Sequence, residues 1–124
     1  MPWHRNVIAK LEAARLFAKV ELIGGKVRAT IDSNRFLDVH FDPTTHGYSY
    51  AFVDQSLLLS GDKRVFGWDD FPHAGVEKFR ELKSYPHHFQ KRQGEAWIFE
   101  ESPMRGNSEG EIDLVIEYLR AYLS

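Results

Sequence analysis

A two-residue alternation of apolar and polar side chains runs through the middle of this chain, cut at short intervals by turn-forming residues. It constrains the fold more than any other feature. In "KVRATID", Val27, Ala29 and Ile31 share one face. In "RFLDVHF", Leu37, Val39 and Phe41 go one way, and Phe36, Asp38 and His40 go the other. In "YSYAFV", Tyr48, Tyr50 and Phe52 line up again. A period of two belongs to the β-strand, whose successive side chains point to opposite sides of a sheet. The interruptions are "SN" at 33–34, "DPTTHG" at 42–47 and "GDK" at 61–63. Connections this short join antiparallel neighbours. Residues 26–68, with "LLLS" and "RVFGW", therefore read as three or four antiparallel strands. "VELI" and "KVRATI" flank Gly24 and Gly25, which marks a hairpin or a bend. "EAWIFEE" reads as a further strand.

Both ends switch to a helical period. In residues 4–19, "HRNVIAKLEAARLFAK", the apolar positions are Val7, Ile8, Leu11, Ala14 and Ala18. In "EIDLVIEYLRAYL" they are Ile112, Val115, Ile116, Leu119 and Leu123. Glu109 and Glu111 stand near its start, where the helix dipole favours negative charge. A short helix over "GVEKFRELK" is bounded by Pro72 and Pro86, and "SPMRGNSEGE" reads as a loop. The expected fold class is α+β, an antiparallel β-meander sheet with N- and C-terminal helices packed on one face. With 124 residues and no repeat or linker, the chain reads as a single domain, 1–124. An aromatic content of 14% suits a sheet-rich core.

Composition also excludes some functions. There is no cysteine, which rules out disulfides, thiol catalysis and Cys-type zinc sites. A formal net charge of -2 gives no global field for nucleic acid, although "KFRELK" and "KRQ" are local basic patches. Arg5, Lys10, Glu12, Arg15 and Lys19 break up any signal-peptide apolar core, and no apolar run reaches the length of a membrane span. The expected location is cytoplasmic, with no membrane contact.

Three of the six histidines stand in two Pro-His motifs, "FPHAG" with His73 and "YPHHF" with His87 and His88. Imidazole titrates near neutral pH, and a neighbouring carboxylate tunes it. Asp38, His40, Asp69 and Asp70 are within reach of such a site if their segments are neighbours in the sheet. Lys91 or Arg92 would supply a cation for an anionic phosphate. Solvated or structural histidines are the commoner outcome for a local "HH", and adjacent residues of a strand point to opposite faces, so at most one of His87 and His88 serves a given site. No close-spaced ligand signature such as H-x-x-x-H points to a metal, and no motif requires a cofactor. The Tyr48/Tyr50/Phe52 stripe reads as core. Asp69 and Asp70 read as a turn or cap.

One combination goes further. "YSYAFVD", then "RVFGWDDFPHAG", then "LKSYPHHFQ" resembles the TumE-type toxin family of bacterial and archaeal toxin–antitoxin pairs. Tyr48, Ser49 and Tyr50 match that family's "YSYH"-like strand. Asp69, Asp70, Pro72 and His73 match its "YDNAPHH"-like segment, and Tyr85, Pro86, His87 and His88 its "TFPHHKH"-like segment. Departures are Ala74, where the family often has a second histidine, and Phe89 and Gln90, where it usually has Lys-His. Lys91 stands one position beyond the expected lysine. The resemblance covers roughly residues 20–92 and implies a toxin with a small antitoxin protein as partner. The residue chemistry adds RNA as a target and a metal-independent ribonuclease reaction, with His73 and His88 for proton transfer, His87 as the other candidate of its pair, Asp70 orienting an imidazole, and Lys91 or Arg92 on the phosphate. The competing reading is a non-catalytic protein-interaction module.

Overall fold

The computed structural model describes residues 2–57, 61–72 and 81–124. In chain order the elements are helix α1 (Trp3–Ala13), strands β1 (Lys19–Ile23), β2 (Lys26–Thr30), β3 (Arg35–Phe41), β4 (Tyr48–Asp54), β5 (Arg64–Asp69), β6 (His88–Gln93) and β7 (Ala96–Glu100), and helix α2 (Ser108–Leu123). The seven strands form one sheet in the order β1 to β7, and each pairs antiparallel with its neighbour in sequence. This is the expected α+β meander with a helix from each end of the chain.

The alternation explains the layering. Val27, Ala29, Leu37, Val39, Tyr50 and Phe52 lie on one face of the sheet with Phe66, Trp68 and Phe89. They are buried against Val7 and Leu11 of α1 and Ile112, Val115, Ile116 and Leu119 of α2. The intervening residues point to the other face, where Asp38 on β3 pairs with Lys26 and Arg28 on β2 at 3.0 and 2.8 Å. The two helices are tied to each other as well. Lys10 Nζ donates to Glu109 O at 2.7 Å and to Asp113 Oδ2 at 2.8 Å, and Arg120 donates to Ala14 O at 3.1 Å.

Two boundaries differ from the sequence reading. Helix α1 ends at Ala13, not near residue 19. Arg15 takes a left-handed backbone, φ 56°, which breaks the helical path. By Ala18 the chain has joined the sheet, its N–H donating to Thr30 O at 2.8 Å. The helical period of Ala14 and Ala18 loses to the pairing of β1 with β2. Gly24, φ 60°, turns that hairpin. The second difference is β6, which extends the sheet beyond residue 68 and links β5 to β7. "LLLS" from Leu58 onward and "GVEKFRELK" as far as Arg80 lie outside the described residues. No helix among the described residues is long and apolar enough to cross a membrane.

Gly67 marks a close approach of β5 to the backbone of β4. A Cβ there would sit 2.5 Å from the Tyr50 carbonyl oxygen and 3.3 Å from Ala51 Cα. Both are backbone atoms of a central strand and cannot swing away. Gly67→Ala should therefore lower stability by about 3 kcal/mol through overpacking. The check is urea denaturation, with the midpoint falling and the slope unchanged.

Candidate active site

The antiparallel register brings four segments to one end of the sheet. Ser49 near the start of β4 pairs with Asp69 at the end of β5, and Asp69 pairs with His88 at the start of β6. Residues 84–87 lead into β6, and residues 101–107 lead into α2. Side chains from all four meet here.

His87 and His88 point to opposite faces. His88 is fully buried. Its Nδ1 lies 3.0 Å from Pro86 O, and its Nε2 lies 3.1 Å from Asp69 Oδ1 and 3.2 Å from Gln90 Oε1. Carbonyl and carboxylate oxygens only accept, so each of these contacts is a hydrogen bond when the ring nitrogen facing it carries a proton. Asp69 and Gln90 are buried beside it. This imidazole is a bonded part of the sheet's second face.

His87 is half-buried on the helix side, its ring stacked on Tyr48 at 5.7 Å between centroids. His87 Nδ1 is 2.7 Å from Tyr48 Oη. Nε2 has no hydrogen-bond partner among the described residues. The backbone around it is held: the His87 N–H donates to Ser84 O at 2.8 Å, and Ser84 Oγ donates to His87 O at 2.6 Å. Burial lowers the His87 pKa below its ordinary value, and the charge of Arg105 lowers it further; Asp70 and Glu111 pull the other way. Burial pushes the Tyr48 phenol well above its ordinary value, helped by Glu111 and Asp70. At neutral pH the pair is thus a neutral imidazole bonded to a neutral phenol. When Tyr48 donates to Nδ1, Nε2 carries the imidazole proton. When Nδ1–H donates to Tyr48 Oη, Nε2 presents a lone pair.

Arg105 is held by the loop that carries it. One guanidinium nitrogen donates to Ser102 O and Met104 O, each at 2.6 Å, and its backbone N–H donates to Glu111 Oε2 at 2.6 Å. Glu111 Oε1 accepts from Tyr50 Oη at 2.7 Å and from Gly106 N–H at 3.2 Å. Gly106 has φ 94°, and a Cβ there would come 3.1 Å from His46 O and 3.3 Å from Tyr48 Cδ1.

The candidates named from sequence are placed as follows. Asp70 is at the site, its Oδ1 accepting from the Tyr48 N–H at 3.4 Å. Lys91 faces Glu100 at 3.4 Å on the helix side. Arg92 donates to Arg64 O and Asp62 O, each at 2.9 Å, and lies 4.2 Å over the Trp97 ring. It stands four residues along β6 from His88, roughly 13 Å at ~3.3 Å per residue. Neither cation is brought to the imidazoles. His73 lies outside the described residues. No group of three or more His, Asp and Glu side chains among the described residues is arranged to hold a metal.

Sequence reading missed Arg105, Glu111 and the hydroxyl of Tyr48. Glu111 had a signal: Ser108 and Glu111 have the S-x-x-E spacing in which the acid folds back toward backbone N–H groups ahead of the helix. Arg105 had none beyond its place in a Pro/Gly/Ser loop. Tyr48 is core, as the alternation implied, and its polar tip works at the edge of that core.

The electrostatics can be checked directly. The His87 imidazole should titrate below the ordinary histidine value in an NMR pH series, and Arg105→Gln should move its midpoint upward. A folded-state pKa below the unfolded one means that the unfolded chain binds the proton first. This group therefore withdraws stability as pH falls below the unfolded value, near 6.5.

No protein-family model, no curated protein and no solved structure matches the chain.

Proposed function

We propose that this chain is the toxin of a toxin–antitoxin pair and acts as a metal-independent ribonuclease, with His87 as its proton-transfer residue. The observation that carries the reading is the state of that one side chain. Of His87 and His88, His87 is the half-exposed one, held at one nitrogen by Tyr48 and without a hydrogen-bond partner at the other among the described residues. The resemblance of "YSYAFVD", "DDFPH" and "SYPHHF" to the toxin family supports the biological role.

The chemistry follows from the pair. In the tautomer whose Nδ1–H donates to Tyr48 Oη, Nε2 accepts the proton of an RNA 2′-hydroxyl. The 2′-oxygen forms a bond to phosphorus, and the bond from phosphorus to the 5′-oxygen breaks. The leaving oxygen takes up a proton from an acid, for which His73 remains the candidate from sequence. Arg105 is a cation at this end of the sheet among the described residues and would balance charge on the phosphate. Asp70 holds the start of β4, and with it Tyr48, through the Tyr48 N–H.

A purely interacting module is favoured by a different feature. Leu114, Tyr118 and Tyr122 recur every fourth residue on α2 and are 47, 39 and 50% exposed. Such a stripe would also seat the antitoxin. The two readings part at His87. Expressed without its partner, the wild type should halt growth, and purified protein should cut RNA in the presence of a chelator. His87→Ala should reduce cleavage by roughly 10²–10⁴-fold with circular dichroism unchanged. A fully toxic, folded His87→Ala variant would transfer the function to the interaction surface.

A further inference from the structure

Adjacent histidines on one strand share no surface, yet here both are tightly bonded. We infer that His88 is the positioning residue for His87, clamping the chain just ahead of it so that the His87 ring stays on Tyr48. The inference rests on the reading of His87 as the proton-transfer group.

The peptide groups on either side of His87 are fixed one by one. The carbonyl before it, Pro86 O, is held by His88 Nδ1 at 3.0 Å. Its own N–H and carbonyl are held by Ser84 at 2.8 and 2.6 Å. Ser84 is fixed in turn, its N–H donating to Glu101 Oε2 at 2.8 Å and its Oγ accepting from Ser102 N–H at 3.1 Å. On the far side of the His88 ring, Nε2 lies 3.1 Å from Asp69 Oδ1 at the end of β5. The ring therefore bridges the β5 terminus and the Pro86 peptide.

The choice of histidine at this position argues for a bond-directing role. The site is wholly buried and touches the Phe99 ring, with 5.6 Å between ring centroids. A leucine or phenylalanine would fill such a space without burying polar atoms. Imidazole instead offers nitrogens on two sides of a rigid ring; with a proton on each it donates to a carbonyl one way and to a carboxylate the other. Asparagine can replace the first contact and glutamine the second; neither makes both.

The test separates position from stability. Three variants are made, His88→Leu, His88→Asn and His88→Gln. Each is read by the NMR titration of His87, by thermal melting, and by kcat and KM for RNA cleavage. Among the described residues, the groups facing His87 are Tyr48 from β4, Asp70 after β5, Arg105 just before α2, Glu111 in its first turn, and His88 itself. All but the last are unchanged in these variants. If His88 positions His87, the leucine variant releases the ring from its seat and its midpoint rises toward the ordinary value. In the same variant kcat falls roughly 10- to 100-fold, as expected for a misplaced catalytic group, with KM little changed. Asparagine, which keeps the donor to Pro86, restores the midpoint, and glutamine does not. An unchanged His87 titration in the leucine variant, with only the melting point lowered, would reduce His88 to a core residue. Should the leucine variant fail to fold, the asparagine and glutamine variants decide: a wild-type His87 in both, or in glutamine alone, overturns the inference. If no protein cuts RNA while the titrations behave as described, the ribonuclease reading falls and the positioning role stands.

Discussion

The hydroxyl of Tyr50 is the interaction on which the arrangement of this molecule turns. Tyr50 sits in the middle strand of the sheet and is wholly buried. A buried hydroxyl without partners costs on the order of 1–3 kcal/mol, so its surroundings must supply them. They do so with Ser108 Oγ at 3.1 Å and Glu111 Oε1 at 2.7 Å, both in the first turn of α2. That fixes where the helix begins on the sheet. Glu111 also accepts backbone N–H groups of Arg105 and Gly106, so the loop before α2 is folded back over Tyr48. One satisfied phenol thus sets the seat of a helix, the path of a loop and the place of Arg105, whose charge reaches His87.

The sheet's architecture was legible because strand faces alternate in hydrophobicity wherever one side meets helices and the other does not. β2, β3 and β4 obey this, and their registers follow the expected faces. β6 was harder. His88 and Gln90 are polar yet buried on the second face, and Lys91 is charged on the helix side, so "HFQKRQ" carries no clean period. Its hairpin with β7 is turned by Gly94, φ 65°. The early end of α1 was invisible for a related reason: local helical spacing continues past Ala13, and it is the left-handed turn at Arg15 and the pairing of β1 with β2 that stop it.

The site was legible in part. The pair of Pro-His motifs drew attention to His87 and His88, and the rule of opposite faces separated them. Which of the two stays accessible depends on what packs behind each face, and that is a property of the assembled sheet. Basic residues close in sequence were poor guides for the same reason. Lys91 and Arg92 follow the histidines along a strand that carries them steadily away, whereas Arg105 arrives from a loop some distance down the chain. Sequence proximity is proximity in space only within a turn or across a register, and neither applies to Arg92 and His88.

The pairing order of the strands has a further consequence, for how the fold is reached. Every strand bonds to its neighbour in sequence, so the ladder can lengthen strand by strand, each step closing a short stretch of chain except that from β5 to β6, which spans residues 70–87. The bonds between α1 and α2 are of another kind, since Lys10 and Glu109 are 99 residues apart. Loop-closure entropy grows only with the logarithm of length, yet it is met before any contact rewards it. The growing ladder shortens that search, because each strand added removes free chain from between the two helices. Assembly is then a zipper finished by a clasp: the hairpins set the rate at which the core face appears, and the helix pair sets how long it stays covered.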